Sequence, residues 1–137
     1  MKSCVSLILA GSLLMWTIPV IPVLAHHSAG NFWYTDKNVQ VQGTVVSVKI
    51  VNPHPEMVIE VTEGNGQKST WRITGGGNAS AMIRAGWKNG TLPVGMVVKV
   101  EGHPSRTEGS KALLAGKVTT PEGKVLDFSA GSGPVDQ

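Results

Sequence analysis

Val39-Gln40-Val41-Gln42-Gly43-Thr44-Val45-Val46-Ser47-Val48-Lys49-Ile50 carries the plainest structural signal in the chain. Val39 and Val41 alternate with Gln40 and Gln42, the two-residue period of a half-buried strand. After Gly43 the apolar parity changes to Val46, Val48 and Ile50. A change of parity at a glycine predicts a bulge or sharp coil, the bend that a strand of a small barrel needs.

The flanking sequence repeats the strand signal. Met57, Ile59 and Val61 alternate with Val58, Glu60 and Thr62 as a second strand, and Gly64-Asn65-Gly66 turns the chain toward a third through Trp71 and Ile73. A fourth strand is predicted over residues 96–101, after a Pro93/Gly95 turn, and a fifth over residues 113–119. Pro121-Glu122-Gly123 leads into a short sixth over residues 124–128. Between the third and fourth strands the period changes. Asn78 can cap a short helix through Ala79, Ala81, Met82, Ile83 and Ala85, and Gly86 stands where such a helix would end. The expected class is therefore mainly β: a small OB-fold-like Greek-key barrel of five to six strands, with one short helix between strands three and four. A different small barrel or a sandwich is the alternative.

That topology gives the four histidines a spatial meaning. His54, in Asn52-Pro53-His54-Pro55, is expected on the loop joining strands one and two. His103, in Gly102-His103-Pro104, is expected on the loop joining strands four and five. In OB-folds these loops flank the usual binding face. His26 and His27 stand on an N-terminal arm that could reach it.

The sequence before them reads as a signal peptide. Lys2 supplies the positive start, residues 5–16 form an apolar run, and Pro19 and Pro22 precede the small residue Ala25. The alternative is a membrane anchor, because residues 5–24 are nearly long enough to span a bilayer. The two prolines and the small-residue exit favour cleavage at Ala25/His26, and with it a periplasmic or secreted location. Membrane contact would end with cleavage. Cys4, the sole cysteine, would be lost, so no disulfide could support the fold. The expected organisation is residues 1–25 signal peptide, 26–37 N-terminal arm, 38–128 barrel and 129–137 a flexible Ser/Gly-rich tail.

Cleavage at that point would give His26 a free α-amine beside its imidazole, followed by the imidazole of His27. Copper(II) favours nitrogen donors in a tetragonal plane. The amine and one imidazole of His26, with His54 or His103, would make a three-nitrogen site. This arrangement resembles the histidine brace of secreted copper proteins, among them polysaccharide monooxygenases and copper-carrying chaperones. His27 offers a local alternative through the amine, a deprotonated amide and its own imidazole. Zinc, with three histidines and a water, is the lesser option. The plain reading is that adjacent histidines are solvated polar residues and that Pro-His-Pro is a stiff loop.

Composition narrows the classes of function. Losing Lys2 would take the formal net charge from +3 to +2, too slight and too dispersed for a nucleic-acid footprint. Gly75-Gly76-Gly77 follows a strand but lacks the lysine and spacing of a phosphate loop, and reads better as a tight turn. Trp33, Trp71 and Trp87 could form a stacking platform. Trp71 reads better as core, Trp87 as a plug of the barrel, and Trp33 as a dock for the arm. No serine, acid and histidine grouping suggests a hydrolase, and no carboxylate pair stands out, so a non-catalytic role is expected.

The chain resembles a family of small secreted bacterial proteins of unknown function. The residues that carry the resemblance are Ala25-His26-His27-Ser28, Phe32, Gly43-Thr44-Val45, Asn52-Pro53-His54, Trp71, Gly75-Gly76, Arg84-Ala85-Gly86-Trp87 and residues 98–102. His-His-Ser and Asn-Pro-His are its two sharp motifs. The large residue usual after Asn-Pro-His is replaced by Pro55-Glu56-Met57, and His103 lies outside the shared pattern, which makes it the weakest ligand candidate. The resemblance implies export and a compact β-rich domain but no activity. The leading expectation is an exported ligand-binding barrel that takes copper through His26, His27 and His54. A metal-free module contacting an unknown protein or envelope partner comes second, and a copper-dependent oxidative enzyme third.

Overall fold

The computed structural model describes residues 29–129. The expected signal peptide, His26, His27 and residues 130–137 lie outside the described residues. After a 3-10 turn at Ala29–Asn31, six strands follow: β1 Val39–Lys49, β2 Glu56–Thr62, β3 Lys68–Gly75, β4 Val97–Pro104, β5 Ala112–Thr119 and β6 Val125–Asp127. One helix, α1 Ala79–Arg84, separates β3 from β4.

β1, β2 and β3 form an antiparallel meander, and β1 pairs on its other side with β4, which pairs with β5. A parallel pairing of β3 with β5, from Arg72↔Ala112 to Gly75↔Ala115, closes the barrel. β6 adds a short sixth strand against β5. This is the five-stranded OB-type barrel with one extra strand. Closure leaves few backbone groups unpaired, which is how a small all-β domain limits its exposed edges.

The alternation in β2 sets the barrel interior. Met57, Ile59 and Val61 point inward beside Val45, Ile73, Val98, Val100, Leu113 and Val118. Burying each large aliphatic side chain contributes about 1.5–3 kcal/mol relative to exposure. The parity change in β1 lies slightly further along than Gly43. The register slips between Val45 and Ser47, so Val46 is the extra residue and faces solvent. Gly43 has a different duty. A Cβ there would come within 2.7 Å of the Glu60 carbonyl oxygen, so β1 and β2 could not cross this closely.

α1 has the ends its sequence promises. Asn78 Oδ1 accepts from Ala81 N at 2.9 Å. At the other end Gly86 takes φ +90°, Gly86 N donates to Ile83 O and Trp87 N to Met82 O, a Schellman arrangement. The turn delivers Trp87 into the core, where it meets Phe128 edge-on at 5.0 Å. Its indole N–H donates to Asp127 O at 2.8 Å, so burial leaves that donor satisfied.

One boundary needs correction. His103 was expected on a loop, but β4 continues through His103 and Pro104, which pair with Leu114 and Leu113. Gly102 permits this: a Cβ there would lie 2.3 Å from Leu114 O. With no side chain to hold the strands apart, the ladder runs on past the Gly-His-Pro turn signal. Ser129, assigned to the tail, is buried and its N–H donates to Asp127 Oδ1.

Candidate functional site

The arm residues preceding β1 fold back across the end of β4. Tyr34 N donates to Pro104 O at 2.9 Å, and Trp33 bridges to Ser105. Arg106 holds the arm from the other side. Its backbone N–H donates to Phe32 O at 2.8 Å, and its Nε donates to Gly30 O at 2.7 Å and Trp33 O at 3.1 Å. The guanidinium carbon lies 4.5 Å from the Tyr34 ring centre, with Lys37 Nζ over the same ring at 4.0 Å. Several backbone bonds and a cation–π contact therefore fix a segment with little buried surface of its own.

Docking the arm creates a cleft of about 620 Å³. Ala29, Phe32 and Trp33 supply its arm side. The barrel contributes Leu114, Thr74 and the backbone of Gly75 and Gly76, while Ser105 and Thr107 come from the turn after β4. His54 completes the lining.

The loop carrying His54 is tied to the helix start and to β3. Asn52 Oδ1 accepts from Ala79 N at 3.1 Å, and Gly75 N donates to Pro55 O at 2.8 Å. Pro55 is fully buried, which anchors the loop immediately after His54. The Asn-Pro-His motif thus divides its work: Asn52 serves the helix terminus, and His54 reaches the cleft. His54 Nδ1 faces Gly77 O at 3.4 Å. A carbonyl oxygen only accepts, so in the neutral ring this contact favours the tautomer with the proton on Nδ1 and the lone pair on Nε2.

The structure gives His103 different surroundings. Its Nδ1 donates to Lys37 O at 2.7 Å and helps hold the arm. Across the sheet, His103 pairs with Leu114, Leu114 with Thr74, and Thr74 with Glu56. His54 and His103 therefore flank one stretch of barrel wall with Thr74 and Leu114 between them, and only His54 lines the cleft. Among the described residues, no three His, Cys, Asp or Glu side chains gather as a metal-binding group. His26 and His27 lie outside the described residues.

Asn52-Pro53-His54, Gly75-Gly76, Phe32 and residues 98–102 of β4 are now placed in one architecture. A model of the family of unknown function DUF6152 matches residues 17–114, well over half of the chain. The chain belongs to this family. The matched segment runs from before the expected cleavage point into β5, and so spans the arm, the His54 loop and Arg106. No curated protein matches the chain. DUF6152 membership accordingly brings no activity with it.

Sequence reasoning did not pick out Arg106, or Phe32 as a cleft residue. Phe32-Trp33-Tyr34 did hold a usable signal: three successive side chains leave the backbone in different directions, so the three rings cannot all face the barrel. Arg106 offered none, because its partners lie more than 70 residues away.

Proposed function

We propose that this DUF6152 member is an exported β-barrel protein that binds a ligand in the cleft beside His54, with copper(II) held by His26, His27 and His54. One observation carries the reading: Ala29, two residues after His27, lines the same cleft as His54. Consecutive Cα atoms are about 3.8 Å apart, so the Cα atoms of His27 and His26 can be no further from that of Ala29 than about 8 and 11 Å. A tether this short would let both imidazoles, and the α-amine that cleavage at Ala25 would expose, reach the cleft that His54 lines. The Nδ1–H of His54 facing a carbonyl is the orientation that metal-binding imidazoles commonly adopt. His103 takes no part in this reading, since it does not line the cleft.

The test begins with mass spectrometry of the exported protein, which should find His26 first. Copper(II) titration followed by paramagnetic resonance should then show nitrogen coordination. Adding one glycine before His26, or replacing His54 with alanine, should each weaken binding at least about tenfold, since even outer-shell changes cost that much. Equal affinity with the added glycine would remove the amine from the site.

A metal-free interaction module is the second reading, and Phe32 favours it. The ring lines the cleft yet is 65% exposed, as a contact residue for an envelope or protein partner would be.

A further inference from the structure

The chemistry of the cleft narrows what it would accept beyond a metal ion. Among the described residues, His54 is the sole ionisable side chain in its lining. Arg106, between the lining residues Ser105 and Thr107, gives its Nε to Gly30 O and Trp33 O and its guanidinium face to Tyr34. A charged group entering the cleft would lose water without gaining a counter-charge from this described lining, an unfavourable exchange. Uncharged molecules face no such cost.

Phe32 then sets the shape. Its position comes from backbone bonds, chiefly Arg106 N to Phe32 O, and owes little to burial of its own ring. The protein spends hydrogen bonds to present an aromatic face to a cavity, with half-buried Trp33 beside it. Apart from His54 and the three hydroxyls of Thr74, Ser105 and Thr107, the remaining lining is apolar or backbone. Ser105 Oγ accepts from Thr107 N at 3.1 Å, which leaves the Ser105 proton to donate elsewhere. A mostly apolar cavity of this size with a few placed polar groups is the usual form of a small-molecule site.

We infer that the cleft binds an uncharged, flat ring compound, stacked on Phe32 and Trp33 and hydrogen-bonded by Ser105 and Thr107. The inference rests on the cleft being a ligand site, but it does not need copper.

The test uses the exported chain and the neutral fluorophore N-phenyl-1-naphthylamine. Its fluorescence should rise to a single saturating level. The related 1-anilinonaphthalene-8-sulfonate, which adds a negative charge to similar rings, should bind at least about tenfold more weakly. Phe32→Tyr should bind within about threefold of the original, Phe32→Leu about fivefold more weakly, and Phe32→Ala at least about tenfold more weakly. Phe32 is largely exposed, so none of these changes threatens the fold. Absence of saturable binding, equal binding of the sulfonate, or Phe32→Leu equal to the original would each overturn the inference. Copper titration of the same preparation separates the two ideas. Copper uptake without fluorophore binding overturns the ring ligand and leaves the metal reading standing. Saturable, Phe32-dependent fluorophore binding without copper uptake supports the ring ligand and overturns the metal.

Discussion

Trp87 and Phe128 on one side, and Phe32 and Trp33 on the other, are aromatic pairs with opposite fates. Trp87 is 3% exposed and Phe128 fully buried; they touch edge to face, and the indole N–H has its acceptor. Every demand of that pair is met within the domain. Phe32 and Trp33 sit on an arm held by its backbone, and Phe32 leaves most of its ring to solvent. Stability accounts for the first pair. The second has a fixed backbone and an unfilled face, the combination expected where something else binds.

The largest effect that would sharpen this contrast belongs to the buried pair. Trp87→Ala should lower unfolding free energy by about 3–5 kcal/mol in urea titration, the range for emptying an aromatic core site. A loss under 1 kcal/mol would break the comparison, because Trp87 would then be as dispensable as an exposed ring. Asn78→Ala, which removes the cap of the helix that delivers Trp87, should cost about 1 kcal/mol. Arg106→Ala should change global stability by a similar or smaller amount, about 1 kcal/mol. Its characteristic signature is local: faster hydrogen exchange at the Tyr34 amide with core amides unchanged. Phe32→Ala should leave stability within about 0.5 kcal/mol while weakening binding of the neutral fluorophore at least about tenfold. A destabilisation of 2 kcal/mol there would put Phe32 with the core residues after all.

Trp71 lies between the two pairs, and pH provides the finest probe of it. The ring is half-buried on β3, with Lys111 Nζ 5.9 Å from its centre. Lys111 and Ser69 both donate to Glu63 Oε1, and these bonds, Lys111 foremost, hold the Glu63 carboxyl below its ordinary value of 4.5. The folded protein therefore binds this proton less readily than the unfolded chain. The resulting contribution to stability is full above the ordinary value and is lost as pH falls through the lowered one. Glu63→Gln should remove that part of the acid dependence, a small effect because the pair is solvent-screened. An unchanged acid limb in the variant would show that the cluster does not steady the Trp71 region.

Most of the barrel was legible because its signals are local. Alternation in β2 and β5, the Asn78 cap and the Gly86 stop each act within a few residues of where they are read. Two errors of place have the same origin. The bulge falls at Val46, because Gly43 serves the close crossing of β1 and β2 at Glu60 O. His103 stays in its strand, because Gly102 lets β4 lie against Leu114. In both cases the glycine's meaning depends on a partner strand that the local sequence does not name. The cleft was less legible for the same reason. His54 could be set on the correct loop, but the Arg106 contacts join residues that only the finished barrel brings together.

The Arg106 contacts also bear on the order of assembly. The arm leaves the ribosome before β1, yet its docking partners Pro104, Ser105 and Arg106 are made about 70 residues later and must first be set by β4 and β5. A segment that emerges ahead of β1 is thus among the last to settle. A barrel that has closed without its arm would hold a full core and no aromatic wall, so the cleft is the final thing this protein builds and the first it can lose.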